Sequence, residues 1–411
     1  MKRLRRLILA CLAVVLHAGG SLSAFGQGSL TPPGAPAPTM KRLDEIEPRT
    51  NLQATPAPAG VDTSNANYHF IINQPGSYYL SANIAVTKPH GIQINAEGVT
   101  LDLNGFQIAR GSGSGGYGIE IPTASFRTTV RNGTIKGFDH AIFGTAHACA
   151  FRDLAVTGCT NYGIRTGDGA VLESCRASQN SGTAGIAAGW GSTLTNCAVM
   201  GNTVTFGITT GSSSALTNCT AYSNTAGFGI NVSAGSSLTN CAASFNTGTG
   251  PVSGGISASN GCTFTGCATY FNDSTATQTF TTGMGIYVNS GCTIQKCTAG
   301  FNSGDGIRVA SECLVRENDC SSNNSGIHSA GNNNRIEGNN VTSNGRGIIV
   351  DLAGNLIIRN SASDNTIDYS IAASNRYGPI VDISAAGAPA VSGKSAADTT
   401  GTSHPWANFS Y

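Results

Sequence analysis

Charge is the scarcest feature of this chain. Only 11% of its 411 residues are Asp, Glu, Lys or Arg, and the formal net charge is +1. So sparse and balanced a set assembles no cationic patch, so neither nucleic acid nor an anionic membrane is an expected partner. From Ala177 to Asn272 there is no Asp, Glu, Lys, Arg or His at all. That stretch therefore has no usual general acid or base and no carboxylate metal ligand, and a catalytic site must lie before or after it. Long apolar runs are also missing. The segment Leu7–Leu16 has ten residues, well short of the about 20 that a membrane-spanning helix needs. The calcium-binding pattern Gly-Gly-x-Gly-x-Asp does not occur.

Lys2, Arg3, Arg5 and Arg6 precede that apolar segment, and small residues around Ala24–Gly26 follow it. This is the pattern of a secretory signal over residues 1–26, so a secreted, cell-surface or periplasmic location is expected. Residues 27–60 form a Pro-rich leader in which 39–49 can make one short helix from a Thr39 cap to Pro48. Residues 61–90 alternate apolar and polar around a Pro-Gly turn and read as strands leading into the body of the protein.

The body, residues 91–375, is a repeat. A Gly-Ile step or close variant returns every 20 to 30 residues, and the best copies read G-I-x-x-G-x-x-x-x-L-T-N-C-x-A-x-x-N, as in 185–202 and 207–224. Helical solenoids need longer units, whereas short strands of period two between Gly and Asn turns fit this length. One coil cannot bury its own apolar face, so each strand must pair with its copies above and below, about 4.8 Å away. Like then stacks on like. An inward ladder runs through Ile164, Ile186, Ile208, Ile230, Ile256, Ile286, Ile307, Ile327 and Ile348. A second runs through Leu172, Leu194, Leu216, Leu238, Phe264, Ile294, Leu314, Ile336 and Ile357. Asn180 to Asn365 recur at a turn, where Asn tolerates left-handed backbone and its amide can bond its own copy in the next coil. The expected fold is all-β, a parallel solenoid of about 12–13 coils, with 376–411 as a tail that can cap the open edge.

Thirteen cysteines suggest a disulfide framework at first. Their spacing suggests otherwise. Cys175, Cys197, Cys219, Cys241, Cys267 and Cys297 share a column that Asn318, Asn339 and Asn360 continue, and Cys262, Cys292 and Cys313 make another. Buried reduced ladders are expected, with some bridged rungs as the alternative. Five positions along one extended strand separate Cys262 from Cys267 by roughly 16 Å, too far for shared metal ligation. No metal site is expected.

The repeat resembles that of the right-handed parallel β-helix proteins of the pectate-lyase-like superfamily, over roughly 91–375. The segment 98–111 and the terminal HPWANFSY are similar to secreted bacterial β-helix proteins of unassigned role. The resemblance implies a right-handed, single-stranded β-helix. It leaves activity open, because the superfamily holds lyases, glycosidases, epimerases, tailspikes and non-catalytic members. The paired aspartates and Gly-His-Gly of its polygalacturonases are absent, with Asp168 and Asp305 standing alone in Gly turns. Asp139-His140 is only faintly like the acid–base pairs of its uronan epimerases.

Among the late coils, two successive insertions at 247–254 and 273–284 should form a lip. Beside it the outward position two after each Gly reads Tyr287, Arg308 and His328, with Asp305 before the same turn as Arg308. Arg would pair with a sugar carboxylate, Tyr would stack on a sugar ring, and His or Arg would serve as base in β-elimination. Solvated outer charges are the bland alternative. Lys296 with Glu317 and Arg316 with Glu337 are expected as ordinary vertical pairs. The favoured function is binding of extracellular or cell-surface polysaccharide without a cofactor. A lyase or epimerase acting on a uronic-acid polymer, the lyase with calcium, is the alternative, and a structural or adhesive role is the third.

Overall fold

A computed structural model describes residues 49–111, 115–248, 250–275, 282–382 and 404–410. The expected signal and the 39–48 part of the leader helix lie outside the described residues. All described regular structure is β. Each coil contributes one strand to a 15-stranded sheet, here sheet B, and most contribute two short strands to a 28-stranded sheet, sheet A. Sheet B pairs in parallel throughout except for Val61–Asp62, which runs antiparallel to Tyr68–Ile72. This gives about fourteen turns. The stack exceeds the expected count because Tyr68–Ile72 already pairs in parallel with His90–Ile94, although it lacks the Gly-Ile step.

The Ile ladder is continuous, in register and fully buried from Ile164 to Ile348. The Leu ladder holds with one change. Val315, not Leu314, pairs with Ile294 and is buried. The inward slot is set by its distance from the corner three residues on, where Asn318 replaces Cys297.

The corners explain the repeat. At each bend the chain turns through a left-handed residue, which leaves a carbonyl aimed into the core, and an inward side chain must donate to it. The Asn column does this once per coil: Asn272 Nδ2 donates to Ala243 O at 2.9 Å and to Asn302 Oδ1 at 2.9 Å, and its copies do likewise. The left-handed residue at this corner is the one before the Asn, such as Ser223 or Ser343, and not the Asn itself. Cys and Asn exchange at the second corner because both can donate to the same carbonyl: Cys219 Sγ reaches Leu194 O at 3.5 Å, and Asn318 Nδ2 reaches Ile294 O at 3.0 Å. All cysteines from Cys149 to Cys320 are buried and free. Glycine of the Gly-Ile step makes room for the Asn column, since a Cβ on Gly255 would lie 2.7 Å from Asn272 Nδ2 and 2.9 Å from Gly285 O.

At the far end, Asn408 accepts from Asn360 Nδ2 at 3.2 Å, and strand Asn408–Ser410 pairs with Ser361–Ser363. Lys296 and Glu317 approach to 3.9 Å as expected. Arg316 instead donates to Gln295 Oε1 at 2.6 Å, and Glu337 pairs with Arg335.

Candidate functional site

Two columns of side chains stand outward on sheet B. One reads Phe143, Arg165, Ala187, Thr209, Asn231, Ser257, Tyr287, Arg308 and His328 in successive rungs. Its neighbour reads Tyr162, Ala184, Phe206, Phe228 and Gly254. Small residues between rings carve a trough along the solenoid axis. One groove of about 530 Å³ is lined by Tyr162, Arg165, Asp168, Trp190 and Phe206, and a second of about 600 Å³ by Phe206, Phe228 and Asn231. They meet at Phe206. The first insertion, through Gly250 and Val252, walls the second groove, while residues 276–281 of the second insertion lie outside the described residues. Phe228 and Tyr287 stack across the intervening small rung at 6.3 Å, which carries the row of rings on to the late group.

Trp190 is 68% exposed. Its turn is fixed by Asp168, whose Oδ1 accepts the Trp190 backbone N–H at 2.8 Å and whose other oxygen lies 3.6 Å from His147 Nδ1. Arg165 lies over the Phe143 and Tyr162 rings at 5.1 and 5.4 Å. Among the described residues its guanidinium has no hydrogen bond or ion pair. It is an exposed cation held by rings alone, which leaves its N–H fork available.

The four expected site residues fall on neighbouring rungs, and three of them bind one another. Arg308 and His328 are side by side in register, with Tyr287 one rung before. Asp305 is completely buried and its Oδ2 takes His328 Nδ1 at 2.7 Å and Arg308 Nη1 at 3.0 Å. The cluster gains a member that sequence reasoning missed. His328 Nε2 meets Asp351 Oδ2 at 2.8 Å, and Asp351 is half exposed. A carboxylate at each ring nitrogen favours the protonated imidazole, in which both nitrogens donate. Burial alone would lower the His328 pKa, but Asp305 and then Asp351 outweigh it and the net shift is upward. Asp305 Oδ1 is buried without a hydrogen-bond partner. Asp351 carried a faint signal as the one carboxylate at the strand-end position four after the Gly.

The early pair does not act as a unit. Asp139 is bound by Thr160, while His140 packs on Tyr117 and Tyr162, and burial lowers its pKa. Among the described residues no three His, Cys, Asp or Glu side chains come together to hold a metal.

The sequence pattern described as the right handed beta helix region matches residues 140–288 and 266–384. The chain belongs to this β-helix family. No curated protein matches it in sequence. Among solved structures, this β-helix is similar to the A-module of mannuronan C-5 epimerase AlgE6 from Azotobacter vinelandii, at 15% identity and TM-score 0.47, over 74% of this chain and 89% of that one. It is also similar to tailspike protein 3 of bacteriophage CBA120, at 13% identity and TM-score 0.49, over 89% and 67%. A mutant of the periplasmic alginate epimerase AlgG aligns at 12% identity and TM-score 0.39, over 79% and 81%. At these identities the likeness is one of fold.

Proposed function

We propose that the outer face of sheet B binds an extracellular, acidic polysaccharide laid along the solenoid axis. The observation that carries this reading is Arg165: a guanidinium braced by two rings, without an ionic partner, in a groove beside the exposed Trp190. An anionic sugar supplies what each group lacks, a carboxylate for the fork and a C–H face for the indole. The column continues to Arg308, six rungs or roughly 29 Å away, so a linear polymer suits the face better than a compact ligand.

The chain has two tryptophans, so in a Trp406→Phe background fluorescence reports Trp190 alone. Titration with carboxylated polysaccharides is expected to saturate, and Arg165→Ala to weaken binding by about tenfold or more, the value of one charge-assisted contact. Equal affinity for a carboxyl-reduced polymer would refute the acidic reading.

Lyase or epimerase chemistry is the second reading, favoured by the Asp305–His328–Asp351 arrangement beside Tyr287. In this reading the half-exposed Asp351 carboxylate takes the proton from the sugar carbon, and the His328 imidazole behind it serves as proton donor. Ultraviolet absorbance of unsaturated uronate, with and without calcium, reads the lyase. Deuterium uptake from solvent into the recovered polymer reads the epimerase.

A further inference from the structure

Phe245, Phe271 and Phe301 occupy the position before the corner Asn in three successive coils, with left-handed φ of 55, 51 and 53°. Such backbone is unusual for a bulky residue. Preceding coils place Gln179, Gly201 and Ser223 at this position, and following coils place Ser322, Ser343 and Asp364. The rings are 47, 42 and 45% exposed, so packing in the core does not account for them. They stack at 5.0 and 4.9 Å, with Tyr222 edge-on to Phe245 and Tyr270 edge-on to Phe271. Gly300 leaves space for the Tyr270 ring, which a Cβ there would meet at 2.4 Å. Strained, exposed aromatics in consecutive coils, where serine serves the adjacent ones, point to a surface kept for a ligand.

A groove of about 500 Å³ opens against these rings. Among the described residues its other lining includes Thr247, Asp273, Ser303 and Ser322, and no Lys, Arg or His. Ser303 Oγ is buried and without a hydrogen-bond partner. With one carboxylate and no cation, the groove disfavours an anion. Rings on one side and hydroxyls on the other suit a ligand that is apolar on its faces and hydroxylated at its edges. We propose that the Phe245–Phe271–Phe301 corner is a second glycan site, selective for an uncharged sugar chain and separate from the sheet B trough.

The test is affinity electrophoresis through a panel of uncharged polysaccharides of different backbones, with the wild type, the Phe245→Ser/Phe271→Ser/Phe301→Ser variant, Phe301→Ser alone and Arg165→Ala. Serine already stands at this position in other coils, so thermal unfolding should show the variants folded. If the triple variant fails to fold, Phe301→Ser decides. The expected result is that at least one uncharged glycan retards the wild type and Arg165→Ala alike, and that the serine variants bind about tenfold more weakly. Three results would overturn the proposal: no uncharged glycan retards the wild type, the serine variants are retarded equally, or light scattering shows a wild-type dimer that the triple variant lacks. The last would assign the ridge to self-association. None of these outcomes bears on acidic-polymer binding, which Arg165→Ala reads separately.

Discussion

Asp305→Ala is expected to destabilise the β-helix by about 3–5 kcal/mol, because it removes one side of a buried ion cluster and leaves the other side uncompensated. Arg308 and His328 converge on Asp305 Oδ2, with Nη1 and Nδ1 only 2.7 Å apart. The buried Asp305 carboxylate, in contact with both groups, holds them at that distance. Without it, two cationic groups face each other, both largely shielded from water. Asp305→Asn keeps the shape but not the charge and should cost less. Thermal or denaturant unfolding of the two variants beside the wild type measures both.

The same cluster sets a pH dependence. The folded His328 pKa is raised, so below the ordinary value of about 6.5 the imidazole is charged in both states and its contribution is fully present. As pH rises through the folded value that contribution is lost, a tenfold difference in proton affinity between the folded and unfolded chain being worth about 1.4 kcal/mol. His69, His90 and His140 have pKa values lowered by burial and act in the opposite sense, losing stability as pH falls. The measurement is therefore the difference between wild type and His328→Gln from about pH 6 to about pH 9. The wild-type advantage should shrink as pH rises. A constant difference would mean that the imidazole is not held as a cation.

Asn272→Ala should be comparably costly although it removes no charge. Asn272 Oδ1 accepts from both the backbone N–H and the side-chain amide of Asn246, and its own amide serves Ala243 O. Its removal orphans at least one buried N–H and one buried carbonyl, at about 1–3 kcal/mol each, or roughly 2–6 kcal/mol together. The adjacent Phe271→Ser should cost little, since that side chain faces solvent. The contrast between neighbours, read by chemical denaturation, tests whether the inward amide column rather than the outer surface holds the coils together.

The architecture is legible in the sequence because solenoid stacking makes every structural role recur at coil spacing. Ile164 to Ile348 can be read directly, and the Cys-to-Asn exchange gives away a shared corner position. What the repeat cannot give is any role set by one residue's place relative to the next rung. Leucine outranks valine in hydrophobicity, which marks Leu314 as the inward residue, but distance to the Asn318 corner decides. Residue preference puts the left-handed backbone at Asn, whereas it belongs to the residue before it, and that hides the Phe245, Phe271 and Phe301 corner. The trough is invisible in sequence because Ala184 and Ala187 become a depression only beside Tyr162 and Phe206. Trp190 looks like one more turn residue until its turn is seen to open onto Arg165. The stretch from Ala177 to Asn272 holds no Asp, Glu, Lys, Arg or His, yet it carries much of the sheet B trough, which is lined there by rings and hydroxyls.

Hydroxyl-radical footprinting of the protein with and without a carboxylated polysaccharide tests the sheet B assignment most directly. Trp190 should be strongly labelled in the free protein, and Trp190, Tyr162 and Phe206 should be protected together when polymer is bound. Labelling of Trp406, remote in sequence and covered by Arg359, should be unchanged. Binding that leaves Trp190 and Phe206 fully labelled would contradict the assignment of the sheet B trough as the polysaccharide-binding face.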